Sequence, residues 1–315
     1  MAKAVQYTQL GGPEVLTVNE IPEQQPGPGK IAVRIEAAGV NPIDQKLREG
    51  IRAAPPFTSP RGTGLDGAGT VTAVGDDVDG FRAGDPVAFT GTLGTYATDI
   101  VISASKAAVR PAGVSAAQGA ALGIPAGTAY QALKSLGVRE DDTLLIHGGS
   151  GSVGQAAIQF GVLFGARVIA TTSDARADRV SNLGAEPVRY GDGLTGRVLE
   201  MAPDGVTAIL DCAGADGVLE ASVELLDDSS RIATIVLGAQ ADEMGLRAFA
   251  GGSATPLTEQ QNAWRSEALP VSLALIAAGY FDVELGDAFP LDRAAEAQEA
   301  TAKGAAGKLL ILPNS

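Results

Sequence analysis

The spacing of apolar residues changes near position 115. Before it, short β-branched runs ("KIAVRIEAAGV", "GAGTVTAVG", "DPVAF") are broken by Gly, Pro and Asp, and predict strands joined by turns. "EQQPGPGK" reads as a loop, and the frequent glycines suit strands that bend sharply in a small barrel. After 115, helix-spaced and strand-like runs alternate. "SAAQGAALGIPAGTAYQALKSLG" is an alanine-rich helix, and "DTLLIHGG" is a short buried strand. "SVGQAAIQFGVLFG" carries Val153, Ala157, Phe160 and Phe164 on one helical stripe. "ARVIATT" is a strand, and "SDARADRVSNLGA" a helix with a Ser or Asp start and a Gly stop. "AILDCAG" and "RIATIVLG" are two more strands. Such alternation implies a parallel sheet with right-handed crossovers. A late helix, "ALPVSLALIAAGYF", precedes a tail that reads strand, helix, strand. Its final strand, "KLLIL", could return to the first sheet and make that domain discontinuous.

Between the buried strand and its helix lies "IHGGSGSVGQAAIQF", with Gly149, Gly151 and Gly154 spaced as G-x-G-x-x-G. The spacing alone is a weak signal. Its place after a strand and before a helix is what a dinucleotide-binding turn requires. On that reading Gly149 permits the tight turn, Gly151 lets the backbone approach a pyrophosphate, and Gly154 lets helix and strand pack. The pyrophosphate would sit at the helix N-terminus. NAD readers place an acid at the tip of the following strand for the ribose hydroxyls. Here the tip is Thr172 and Ser173, with Asp174 slightly late and Arg176 and Arg179 close behind. Small hydroxyls plus arginine suit a 2′-phosphate, so NADPH is expected rather than NADH.

Length and composition narrow the rest. A chain of 315 residues exceeds what one core usually serves, so two domains are expected. A net charge of −14 disfavours nucleic acid and anionic lipid as partners. The apolar stretches are too short to span a bilayer, and the first residues lack a signal-peptide core, which points to the cytoplasm. There is one cysteine, Cys212, and one histidine, His147, too few for the usual zinc ligand sets, so no metal is expected. His147 reads as a buttress of the glycine turn and Cys212 as a small buried hydrophobe. "YQALK" offers Tyr130 and Lys134 in the Tyr-x-x-x-Lys spacing of short-chain dehydrogenases, with Ser115 upstream. There the pair follows the glycine turn; here it precedes it, so both read as ordinary helix residues.

Taken in order, the motifs resemble one family, the zinc-lacking quinone oxidoreductase branch of the medium-chain dehydrogenase/reductase superfamily. "AAGVNPIDQKLREG" resembles the stretch where zinc relatives carry a metal cysteine and quinone reductases carry Asn-x-x-Asp, here Asn41 and Asp44. "GLDGAGTVTAVGDDVDGFRAGDPV", "GTAYQAL", "HGGSGSVGQAAIQF" and "GKLLIL" resemble further family blocks, so the likeness runs along nearly the whole chain.

The resemblance implies an α/β protein: a discontinuous GroES-like β-barrel domain (1–115 and 270–315) and a Rossmann doubly wound parallel-sheet domain (116–269). It implies NADPH-dependent reduction of a quinone or an activated C=C (enone), without zinc, in an interdomain cleft, by a homodimer. Residue by residue, it puts Gly149, Gly151, Ser152, Val153 and Gly154 on the pyrophosphate turn. Thr172, Ser173 and Arg176 fall at the 2′-phosphate and Tyr190 beside the adenosine. Gly214, Leu237 and Gly238 fall along the cofactor, and Asn41 and Thr128 near nicotinamide and substrate. Several quinone reductases carry a tyrosine where this chain has Lys46, which makes Lys46, Asn41 and Thr128 the candidates for polarising a substrate oxygen. The alternative is an NADPH-binding protein with a regulatory or structural role and little turnover.

Overall fold

The computed structural model of the protein describes residues 1–52, 55–249, 253 and 255–315. The chain divides into two compact units, 1–124 with 269–315, and 125–268. Neither crossing lies in a loop. Helix α2 (Ala116–Leu136) runs through the first and helix α8 (Glu259–Ala277) through the second, and each has an internal proline, Pro125 or Pro270, beside the crossing. The late helix of the sequence reading thus begins well before "ALPVSLALIAAGYF". Among the described residues no helix is long and apolar enough to cross a membrane.

In the first unit, β1 (Ala2–Tyr7) pairs with β2 (Thr17–Ile21) and β4 (Arg61–Gly62). A second sheet runs in the order β15 (Leu285–Phe289), β16 (Lys308–Ile311), β3 (Lys30–Gly39), β5 (Asp66–Val74), β6 (Pro86–Thr90), β8 (Ala107–Val109), and β7 (Asp99–Ser103) also pairs with β3. The closing strand does return: β16 lies antiparallel to β3, with Leu310 opposite Gly39. The β3–β5 register shifts twice, which bends the pair as a barrel requires. Ile31, Val33 and Ile35 of β3, with Val71, Phe89, Ile102 and Ile311, form the apolar core.

Beside that core sits a buried polar cluster. Asn41 caps α1 (Pro42–Arg48), and Asp44 Oδ2 accepts from the Asn41 N–H (2.9 Å) and from the Tyr96 hydroxyl (2.9 Å). Asp66 accepts from Asn41 Nδ2 (2.9 Å), the Thr90 hydroxyl (2.7 Å) and the Ile124 N–H (2.9 Å). Lys308, buried on β16, donates to Asn41 Oδ1. Arg48, also buried, donates to Gln298 Oε1 (2.8 Å) and so ties α1 to α9 (Ala294–Ala302). Asp44 and Asp66 lie close enough to repel, and Asp44 Oδ1 is buried without a hydrogen-bond partner among the described residues. Burial pushes the Asp44 carboxyl up to about 7 against the hydrogen bonds it accepts, and the neighbouring Asp66 adds to the rise.

The second unit is a six-stranded parallel sheet in the order β11 (Glu186–Arg189), β10 (Arg167–Thr172), β9 (Thr143–His147), β12 (Ala208–Asp211), β13 (Ile232–Thr234), β14 (Arg247–Ala248). In chain order that is 3-2-1-4-5-6, the doubly wound dinucleotide-binding topology. It reverses between β9 and β12, where the Cys212 N–H donates to the His147 carbonyl (2.9 Å). Leu145, Ile169, Ile209, Leu219 and Ile232 fill the core beneath it. Two elements are shorter than the sequence predicts. β13 stops at Thr234 because its hydroxyl accepts from the N–H groups of Val236 (3.0 Å) and Leu237 (3.1 Å) and turns the chain into α7 (Gly238–Glu243). The helix expected from Ser173 begins as a 3-10 turn over Asp174–Arg176, and only α4 (Ala177–Asn182) is α-helical. The loop "LGAQADEMGLRAFAGG" ends at 250–252, outside the described residues.

Asp44 sets a pH dependence. A carboxyl whose folded pKa is raised favours the fold when protonated, and that contribution is lost as pH rises from about 4 through about 7. Asp44→Asn keeps an acceptor for Asn41 and Tyr96 without the charge. Between pH 5 and pH 8 its unfolding free energy should gain on the wild type by on the order of 2 kcal/mol. Parallel denaturation profiles over that range would show that Asp44 does not titrate there.

Candidate functional site

The glycine turn lies at the switch point, on the carboxyl edge of the sheet. Gly148 takes φ +80°, a conformation side chains rarely adopt, so the tight turn depends on Gly148 and not on Gly149, to which the spacing had assigned it. The other glycines separate by what a Cβ would meet. At Gly149 it would lie 2.7 Å from the Ala170 Cβ, and at Gly154 2.1 Å from the Gly148 carbonyl oxygen, so protein packing forbids side chains at both. At Gly151 the nearest atom is the Gly148 oxygen at 3.7 Å, and φ is −76°. Among the described residues no contact requires glycine there, and an added Cβ would instead stand where a ligand could approach the backbone. Gly151 caps α3 (Ser152–Leu163), and the first-turn N–H groups of Ser152, Val153 and Gly154 have no acceptor within the helix. Together with the helix dipole they form an anion-binding end that a pyrophosphate fits.

The remaining cofactor candidates gather on the same edge. Thr172 ends β10; it is buried, and its Oγ1 has no hydrogen-bond partner among the described residues. Beyond it opens a cavity of about 810 Å³, lined among others by Ser173, Asp174, Arg189, Tyr190, Asp192 and Arg197. Gly214 follows β12 with φ +62°, and Asp211 Oδ1 accepts from its N–H (2.9 Å). Leu237 and Gly238 follow β13 at the start of α7.

Arg176 and Arg179 are not, among the described residues, part of the cavity lining. Arg179 donates Nε to Gln155 Oε1 (2.9 Å), and Gln155 Nε2 donates to the Ser150 carbonyl (2.8 Å), so this arginine braces the glycine turn. Arg176 caps α4, and its N–H donates to the Ser173 carbonyl (2.9 Å). Sequence reasoning missed Arg189 and Arg197. Arg189 is the last residue of β11, paired in register with Thr172, and the run "EPVRY" had not been read as a strand. That register is the signal that could have found it.

The catalytic candidates belong to different units, Asn41 and Lys46 to the first and Thr128 to the second. The Asn41 carboxamide donates to Asp66 and to the Gly39 carbonyl (3.3 Å) and accepts from Lys308. Both amide hydrogens are therefore engaged inside its own unit, which removes the donor expected for a substrate oxygen. The Thr128 hydroxyl accepts from Arg265 Nη2 (3.0 Å) and can still donate. Lys46 is half-buried on α1, and its side chain has no hydrogen bond or ion pair within the described residues.

His147 is buried with Nε2 3.2 Å from the Ser222 hydroxyl; burial pulls its pKa down to about 4 although Asp211 opposes this, so it is neutral near pH 7. Tyr130 donates to Glu267 Oε1 (3.0 Å), and burial, reinforced by Glu267, raises its pKa to about 12, while Lys134 lies over the Tyr130 ring. Burial pushes the Cys212 thiol well up. No group of three or more His, Cys, Asp or Glu that could hold a metal ion occurs among the described residues.

Comparison with known proteins agrees with this architecture. Residues 27–135 match the family model of the alcohol dehydrogenase GroES-like domain, and residues 152–258 that of the zinc-binding dehydrogenase domain. The chain is 32% identical to the quinone oxidoreductase of Pseudomonas aeruginosa, over 99% of this chain and 100% of that one. It is 29% identical to human quinone oxidoreductase, over 99% and 98%. It superposes with a TM-score of 0.84 on Escherichia coli quinone oxidoreductase solved in complex with NADPH, at 28% identity and covering 99% and 100%. The chain belongs to the quinone oxidoreductase branch of the medium-chain dehydrogenase/reductase superfamily.

Proposed function

We propose that this chain is an NADPH-dependent oxidoreductase that passes hydride to a quinone or to the activated C=C of an enone, and that it does so without zinc. The observation that carries the reading is the glycine turn at the sheet's switch point, where a Cβ on Gly151 would meet no atom of the described residues closer than 3.7 Å. The NADPH complex of the Escherichia coli relative supports the choice of coenzyme. The hydride comes from NADPH when it is bound. The residues of this chain bind and orient. The N–H groups of Ser152, Val153 and Gly154 receive the pyrophosphate, and Gly149 and Gly154 let the helix stand close enough to offer them. Thr172 and Ser173 lie at the phosphorylated ribose, Tyr190 flanks the adenosine, and Gly214, Leu237 and Gly238 leave room for the chain of the coenzyme; Arg176, expected at the 2′-phosphate, lies outside the cavity lining.

On the acceptor side, the Thr128 hydroxyl in the second unit and Lys46 in the first are each a candidate donor for a developing enolate, and Asn41 serves by holding the start of α1. A quinone is already electron-poor and asks little more than placement. The donor set supports zinc independence: one cysteine and one histidine, with that histidine buried on β9.

The defining assay is NADPH consumption with a simple naphthoquinone, against a blank without acceptor. Rapid turnover, unchanged after chelation with EDTA, is expected. Binding of NADPH without turnover on quinones or enones would instead favour a regulatory coenzyme-binding role, and activity lost with stoichiometric zinc would overturn the metal-free chemistry. Gly151→Val should cost less melting temperature than Gly154→Val, since its Cβ meets nothing closer than 3.7 Å and the loss is mainly that of a poorer helix cap, yet it should weaken NADPH by at least about tenfold. Gly154→Val should destabilise the fold itself. A Gly151→Val protein that binds NADPH normally would remove the pyrophosphate from this turn.

A further inference from the structure

The cavity at the ends of β10 and β11 has an arrangement of charge that the coenzyme reading does not by itself anticipate. It is lined by two arginines and two aspartates, Arg189, Arg197, Asp174 and Asp192. The four are not equivalent. Arg197 is committed to the backbone: its guanidinium donates to the carbonyls of Arg189 (2.7 Å from Nη2, 3.1 Å from Nε), Asp192 (2.7 Å) and Gly191 (3.2 Å). It therefore fixes the turn that carries Arg189 and Tyr190 and has few donors left for a ligand. Among the described residues Arg189 makes a single ion pair, from Nη1 to Asp174 Oδ2 at 3.2 Å. Both of its members are largely exposed, at 70% and 76%. An exposed pair of this kind holds weakly and exchanges readily for a better partner.

We infer that the Asp174–Arg189 pair sets the coenzyme preference, with Arg189 as the residue that selects the 2′-phosphate and Asp174 as the residue that limits that selection. The inference rests on the proposed coenzyme site. A 2′-phosphate carries close to two charges and three acceptor oxygens, and it competes with one carboxylate for a guanidinium fork. In its presence Arg189 turns from Asp174 to the phosphate. When the ribose carries a plain 2′-hydroxyl, Asp174 accepts from it and keeps Arg189 beside it. Asp174 thus favours the unphosphorylated coenzyme on two counts, as an acceptor for the hydroxyl and as a like charge facing the phosphate. The placement of Asp174 just past the strand tip fits this double part. A chain carrying only Arg189 there would be strict for NADPH; this chain should prefer NADPH and still use NADH.

The test is a fluorescence titration of NADPH and NADH on the full-length wild type, Arg189→Ala and Asp174→Asn. Both side chains are exposed, so the variants should fold, and a melting curve checks that they do. Wild type should bind both coenzymes, NADPH the tighter. Arg189→Ala should weaken NADPH by about tenfold and leave NADH within about twofold. Asp174→Asn should move the other way, tightening NADPH and weakening NADH, each by about threefold. Equal effects of Arg189→Ala on both coenzymes, or no effect on either, would overturn the assignment of Arg189. A wild type that binds NADPH but shows no change of preference in Asp174→Asn would overturn that of Asp174. A wild type that binds neither coenzyme would overturn the coenzyme site itself, and this inference with it.

Discussion

The second unit is organised by how closely one helix can approach one strand. At Gly154 the backbone of α3 passes so near the Gly148 carbonyl that a Cβ would lie 2.1 Å from it. That approach aims the helix N-terminus over the carboxyl edge of the sheet and across the gap between β9 and β12. The left-handed conformation of Gly148, the contact of Gly149 with Ala170 and the Gln155 side chain on the Ser150 carbonyl all hold the same turn in place. Arg179 extends that support from α4. The N–H groups at Ser152 to Gly154 are therefore preorganised, and an anion binding at them would have little backbone to order.

The first unit depends on a different constraint. Its apolar core surrounds a few polar groups that must satisfy one another. Asn41 connects them, since its carboxamide joins Asp66 of β5 to Lys308 of β16 while its backbone is capped by Asp44. Partial satisfaction of such a network is costly, and Asp44 shows the cost, with a raised pKa and one oxygen left without a partner.

The sequence exposed the elements whose pattern is local. The strands β3, β5, β6, β9, β10 and β12 and the helices α2, α3 and α9 follow from periodicity and from Gly and Pro punctuation. The glycine turn was legible because its spacing is written in consecutive residues between a strand and a helix. What stayed hidden depends on pairing between distant segments. β11 is four residues long and carries a proline, so nothing local marked it, and with it went the register that sets Arg189 beside Thr172. The end of β13 was misread because Thr234 turns the backbone with its side chain, an effect that apolar content does not display. The engagement of Asn41 was equally invisible, because its partners lie at positions 66 and 308.

The order of the strands has a consequence for how the molecule is made. The second unit is one unbroken stretch, 125–268, whereas the first is assembled from two pieces. β16 lies between β15 and β3 inside the larger sheet of the first unit, and it supplies the ammonium that Asn41 requires. On the ribosome, the nucleotide-binding sheet can close while the earlier barrel strands still wait for their last neighbour. Translation then delivers the units in the reverse of their start order, and the Ala38–Gly39 end of β3 spends that interval as an unpaired edge exposed to other chains.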